Sequence, residues 1–181
     1  MDLNWKLNKT EHIVQDEWID FRKESFILPD GKEFSPFYNY SRRDFVVIIA
    51  KTKDGKYITV RQFRHGLKKV TTEFCAGGIE GSEHESALLA AKRELEEETG
   101  YISDNWKHIY TIPSNPTIAD NYAFLYYADN CEKVSNQHLD STEFLEVKEY
   151  TEDEINDLIK NNKFVQPIHL MGWLMVKKGV L

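Results

Sequence analysis

Glu94, Glu97 and Glu98 stand at i, i+3 and i+4 in the run Arg93-Glu94-Leu95-Glu96-Glu97-Glu98-Thr99-Gly100-Tyr101. On a helix that spacing brings three carboxylates onto one face within a turn, where like charges repel. A hard divalent cation reverses the sign. Mg²⁺ takes oxygen ligands and is commonly shared between one or two carboxylates and substrate phosphates, so the cluster suits phosphate-ester chemistry better than zinc chemistry. Arg93 has the planar fork that orients carboxylates, and its expected task is to anchor the acidic turn by a bidentate pair.

The elements that must position these groups are readable on either side. Leu88, Ala91 and Leu95 recur at helical spacing between Glu85 and Thr99, and Gly100 is placed to end the helix in the left-handed conformation. A strand-like segment, Val70 to Ala76, leads into Gly77-Gly78 ahead of it. Upstream, Trp18 to Leu28 and Glu33 to Tyr40 flank the turn Pro29-Asp30-Gly31-Lys32 and predict a β-hairpin. A second hairpin is predicted from Phe45–Lys51 and Tyr57–Phe63 around Asp54-Gly55, a type I′ turn signal. Downstream, Trp106–Ile112, Asn121–Ala128 and Glu143–Tyr150 predict strands. Thr151 with Glu154 forms a capping box opening a helix, and a last helix is predicted from about Pro167, weakened by Gly172. The pattern is mixed α and β, with helices packed on sheets.

At these residues the chain resembles the Nudix hydrolases, whose signature box ends in Arg-Glu-apolar-X-Glu-Glu-X-Gly-apolar. The second half matches at every position. In the first half, five residues separate Gly77 from Glu83, but nine rather than seven separate Glu83 from Arg93, so either Glu83 or Glu85 fills the box's first glutamate position. Arg61-Gln62-Phe63-Arg64, Glu73-Phe74-Cys75-Ala76-Gly77-Gly78, Asn115-Pro116 and Thr142-Glu143-Phe144-Leu145-Glu146-Val147 are similar to the ADP-ribose pyrophosphatase branch, as is the N-terminal hairpin. Pro116 lies 15 positions after Tyr101, a spacing typical of that branch.

The resemblance implies an α+β fold, an α/β/α sandwich of the Nudix type with an N-terminal β-hairpin extension. It implies hydrolysis of the diphosphate of ADP-ribose or an ADP-sugar with Mg²⁺, for which Mn²⁺ can substitute. Glu94, Glu97 and Glu98 with the backbone carbonyl of Ala76 are the expected metal ligands. Glu143 matches the branch's general base, with Glu146 in reserve, while Glu97 and Arg93 complete the catalytic set. Arg64, in a loop-like Arg64-His65-Gly66, is a candidate phosphate or ribose contact, and Pro116 falls on the substrate side. Residues 1–44 are expected to form a dimerisation element and 45–181 the catalytic domain, giving a homodimer. Phe37, Tyr38 and Tyr40 are read as core or interface ahead of base stacking. Two other readings remain: a dinucleoside polyphosphate or modified nucleotide as substrate, or a non-catalytic nucleotide-binding regulator.

Composition narrows the classes. With 181 residues, 41% of them hydrophobic, the chain can bury a full core. A net charge of −7 disfavours nucleic acid polymers as partners and leaves a small nucleotide as the expected substrate. Cys75 and Cys131 form no metal or disulfide pattern and are read as packing residues in a reduced, cytoplasmic protein. The six histidines form no metal set, and His169 is expected to pack. No apolar run is long enough to cross a membrane or to serve as a signal segment.

Overall fold

The computed structural model describes residues 2–81 and 86–179. Glu83 and Glu85, the two candidates for the first glutamate of the box, lie outside the described residues. The elements are β1 (Lys6–Gln15), β2 (Asp20–Ile27), β3 (Glu33–Ser41), β4 (Phe45–Thr52), β5 (Tyr57–Arg64), β6 (Lys69–Glu73), β7 (Cys75–Gly78), α1 (Ala87–Thr99), β8 (Tyr101–Ile102), β9 (Asn105–Pro113), β10 (Tyr122–Lys133), β11 (Leu145–Tyr150), α2 (Glu152–Lys160) and α3 (Pro167–Lys177). They gather into two compact units. The first runs to Asp44 and includes Pro113–Tyr122; the second comprises Phe45–Ile112 and the chain from Ala123 onward.

The first unit is a three-stranded antiparallel sheet in the order β1-β2-β3. The expected hairpin is present as β2 and β3, and β1 adds to it. β1 has little hydrophobic alternation and is almost wholly exposed. It is a strand because it pairs with β2 from Lys6↔Ile27 to Gln15↔Asp20. Trp5, Phe26, Phe34 and Phe37 meet edge to face, with ring centroids 5.8 to 6.2 Å apart, a geometry that aromatic quadrupoles favour. Pro116 sits in the turn of the 113–122 segment, where the Asn115 carbonyl accepts from Ile118 and Ala119 N–H. Arg22 and Ser41 both reach Asp120 and tie that segment to the sheet.

In the second unit the strand order is β11-β5-β4-β10-β8, with β6 on β5, β7 on β4 and β9 on β10. β4 and β10 run parallel at the centre, and β4 is a continuous buried run, as expected of a strand covered on both faces. Its side chains alternate. Val46, Ile48 and Ala50 pack with Ala90, Ala91 and Leu95 of α1, while Val47 and Ile49 pack with Ile155 of α2 and Trp173 of α3. This unit is therefore an α/β/α sandwich. Gly172 falls where α3 crosses β4 and β10. A Cβ there would lie 3.0 Å from both Ile49 Cδ1 and Leu125 Cδ2, so the residue that weakened the helix prediction permits the close packing. Cys75 and Cys131 are free and buried in the α1-side core.

Two details depart from expectation. The Asp54-Gly55 turn is not type I′, which needs positive φ at both central residues. Only Gly55 has it, at 90°. Gly55 N–H donates to Thr52 O and Thr52 N–H to Lys56 O, closing a three-residue loop with a glycine bulge. Pro29-Asp30-Gly31 closes the first hairpin in the same way, through Leu28 and Lys32. The segment expected as one strand from Val70 to Ala76 is split at buried Phe74, so the chain leaves β5 as β6 and continues beside β4 as β7.

Candidate active site

α1 carries the carboxylates, and its ends are fixed locally. The Ser86 hydroxyl accepts from Leu89 N–H, and Gly100 takes φ 75° at the C-terminus. The apolar stripe presses one side of the helix onto the sheet, which carries Glu94 and Glu98 inward with it; they are 8% and 3% exposed. Glu97 stays half-exposed on the adjoining face. β7 supplies the opposing wall. A Cβ on Gly77 would fall 1.9 Å from Glu94 Cδ, so the Glu94 carboxyl occupies the space a side chain at 77 would fill. Beside it, Ala76 N–H donates to Glu98 Oε2 at 3.2 Å. The expected ligand at Ala76 was its carbonyl; the contact defined here is made by its N–H.

Burial sets the electrostatics. It pushes the Glu94 carboxyl up to about 7, with Arg93 pulling it back and the charges of Glu97 and Glu143 adding to the rise. Burial pushes Glu98 up to about 8, opposed by the Cys75 thiol and the Ala76 N–H and reinforced by Glu94 and Glu143. A desolvated, mutually repelling pair of carboxylates is the arrangement whose charge a cation relieves. Arg93 supplies part of that relief. Its Nη1 lies 2.9 Å from Glu94 and 2.8 Å from Glu97, and its Nη2 donates to the Gly78 carbonyl at 3.1 Å. Among the described residues, Arg93 thus ties Glu94 and Glu97 to β7, with one nitrogen shared between the two carboxylates.

Glu143 lies in the exposed loop before β11, with its carboxylate accepting from Asp140 N–H at 3.1 Å. Its charge adds to the rise of both Glu94 and Glu98. The reserve, Glu146, does not. In β11, Val147 faces the α1-side core and Tyr150 the opposite one, so alternation puts Glu146 on the face away from α1. There it pairs with Arg61 at 2.9 Å and Lys148 at 2.6 Å.

Arg64 is neither a loop residue nor a simple surface arginine. It ends β5, and its Nε and Nη2 fork onto Glu73 at 2.8 and 2.9 Å. The Glu73 side chain is fully buried, also accepts from the Thr71 hydroxyl at 3.0 Å, and lies 3.9 Å from His169 Nε2. Burial holds His169 down at about 4, so it sits neutral in the core. Sequence reasoning missed Glu73; the available signal was a lone acid in a strand flanked by Phe74 and Cys75, since a carboxylate rarely stays in such a run without a cation.

Among the described residues no ready-made group of three or more His, Cys, Asp or Glu side chains is spaced to hold a metal ion. The donor set nonetheless fits a hard divalent cation: Glu94 and Glu98 offer only oxygen donors and are drawn inward by the fold, with Glu97 on the adjoining face. Gly77→Ala tests the wall directly. The clash falls on the end of a flexible side chain, so the fold is expected to survive while the Glu94 carboxyl is displaced. Circular dichroism should match the wild type and metal affinity should drop by about tenfold or more; unchanged affinity would mean Glu94 takes no part in holding the ion.

The NUDIX domain matches residues 41–169. ADP-ribose pyrophosphatase of Bacillus subtilis (strain 168) is 32% identical over 94% of this chain and 92% of its own. Methanol dehydrogenase activator of Bacillus methanolicus is also 32% identical, over 87% of this chain and 84% of its own. A solved structure of an ADP compounds hydrolase matches the fold with a TM-score of 0.83, covering 99% of this chain and 96% of that chain at 18% identity. With the acidic helix, the glycine wall and the sandwich that presents them, these similarities establish that the chain belongs to the Nudix family.

Proposed function

We propose that this protein is a Mg²⁺-dependent pyrophosphohydrolase of ADP-ribose or a related ADP-sugar. The observation that carries the reading is the buried Glu94–Glu98 pair set against Gly77, a site built around oxygen ligands. The Bacillus subtilis relative supports the substrate, because its similarity runs through both units of the chain. Glu94, Glu97 and Glu98 with the Ala76 carbonyl hold the ion, and Mn²⁺ substitutes. When bound there, the ion would supply Lewis-acid chemistry and charge neutralisation at the diphosphate.

The chain's own groups do the rest. Glu143, on a solvent-facing loop, accepts the proton of the water that attacks phosphorus. Cleavage yields AMP and ribose 5-phosphate from ADP-ribose. Arg93 holds Glu94 and Glu97 in register and so acts as a positioning residue. Arg64 approaches substrate through Nη1, the nitrogen not engaged by Glu73. A substrate panel with product identification tests the reading: ADP-ribose should exceed a nucleoside triphosphate in kcat/KM, because the preference must arise from contacts with the terminal ribose that strengthen in the transition state.

A second reading, a regulator that binds nucleotide without turning it over, is favoured by the likeness to a methanol dehydrogenase activator. Tight ADP-ribose binding without product in Mg²⁺ would select it.

The protein acts as a cytoplasmic homodimer in this proposal, with residues 1–44 as the dimerisation element and 45–181 as the catalytic domain. Trp5, Leu7, Trp18, Phe34 and Tyr38 are exposed on a small three-stranded sheet, and apolar surface of that kind favours a partner. Sedimentation at micromolar concentration should give a dimer that Trp5→Asp with Phe34→Asp weakens; a wild-type monomer would contradict it. No helix of the described residues is long and apolar enough to cross a membrane.

A further inference from the structure

A cavity of about 450 Å³ opens in the second unit between the sheet and the end of α2; Val70 and Leu158 give it an apolar part, and the rest of its wall is rich in donors. Arg61 and Tyr150 reach it from β5 and β11, Lys69 and Thr72 from β6, and Asn162 and Lys163 from the loop after α2. Arg61 shares the Glu146 face of the sheet, so the cavity belongs to the side that carries α2 and not to the α1 side with its carboxylates. The volume is in the range that small-molecule sites occupy.

Its chemistry runs against that of the whole protein. The chain has a net charge of −7, yet three cations and no carboxylate line this wall. Among the described residues only Arg61 has an acidic partner, Glu146; Lys69 and Lys163 have none. Thr72 adds a hydroxyl donor to the wall. It is 6% exposed, yet among the described residues its hydroxyl has no hydrogen-bond partner, although its backbone N–H is satisfied by the Lys163 carbonyl at 3.3 Å. The hydroxyl oxygen keeps some solvent contact and is free to donate to a molecule in the cavity. The Tyr150 hydroxyl and the Asn162 amide are likewise uncommitted within the described residues.

We propose that this cavity binds a phosphate-bearing small molecule, with Lys69, Lys163 and Arg61 supplying charge and Thr72 a hydrogen bond. Phosphate oxygens match such a wall because they accept from several donors at once and charge-assisted bonds are the stronger kind. The assignment does not depend on the hydrolase reading, since it uses no residue of α1 or β7.

The test is titration of the full chain in chelator with two probes, inorganic phosphate and ribose 5-phosphate, followed by amide NMR. Chelation keeps divalent ions from carrying either probe to the acidic helix. Saturable shifts are expected at Thr72, Asn162 and Lys163. The double variant Lys69→Met/Lys163→Met should weaken both probes by about tenfold or more, and Thr72→Val should weaken them with unchanged thermal stability. Tighter binding of ribose 5-phosphate assigns an organic phosphate and equal binding assigns free phosphate; both support the site. Shifts confined to α1 and β7, shifts that do not saturate, or affinities untouched by the lysine substitutions would overturn it.

Discussion

Glu98→Gln is expected to cost at least about a hundredfold in hydrolysis while making the chelated protein more stable above pH 8. The two effects share a cause. The amide keeps the shape of the side chain and an oxygen for the Ala76 N–H, but it removes the charge that holds the cation. In the folded chain Glu98 titrates near 8, against an ordinary value of 4.5. Its contribution to stability is therefore fully present below 4.5 and is lost as pH rises through 8, because an ionised carboxylate is then held in the core. Glutamine does not titrate, so the advantage of the variant should grow across that window to a few kcal/mol, on the order of the shift itself. Urea unfolding in chelator at both ends of the window measures it. A gap that stays constant or narrows with rising pH would show that Glu98 is not buried as described.

Arg64→Ala is expected to lower stability by about 3 kcal/mol, near the low end for breaking a buried ion pair because the arginine side is partly solvated. Its guanidinium is 33% exposed, but the Glu73 side chain it leaves behind is fully buried. The Thr71 hydroxyl remains, and His169 is neutral, so no full charge replaces the one removed. Glu73→Gln in the same chain should recover much of the loss by removing the stranded carboxylate. Chemical denaturation of the two single variants and the double variant decides it. Unchanged stability with a raised KM would instead make Arg64 a substrate contact with no structural duty.

The acidic helix was legible because its cues are local: the Leu88, Ala91, Leu95 stripe and the glycine stop at 100. How far each carboxylate is buried was not. That depends on β7, which approaches closely only because Gly77 has no Cβ, and nothing within α1 records that approach. The Asp-Gly turns show a similar limit. The dipeptide announces a hairpin, but the preceding Pro29 or Lys53 lengthens the loop and makes it a glycine bulge. Glu143 and Glu146 looked interchangeable in one short motif. They separate because β11 begins between them, after which alternation commits Glu146 to the far face and to Arg61. β1 was missed for the opposite reason, since its strand form comes from pairing with β2 and not from its own pattern.

The central claim is that the α1 carboxylates serve a hydrolase acting on ADP-ribose. Its most direct test is product analysis after incubating the purified protein with ADP-ribose, with and without Mg²⁺ and beside a nucleoside triphosphate at matched concentration. The account predicts AMP and ribose 5-phosphate in equal amounts, only with the ion present, and at a higher kcat/KM than for the triphosphate. Products formed equally well in excess chelator, or a triphosphate cleaved with the higher kcat/KM, would contradict it.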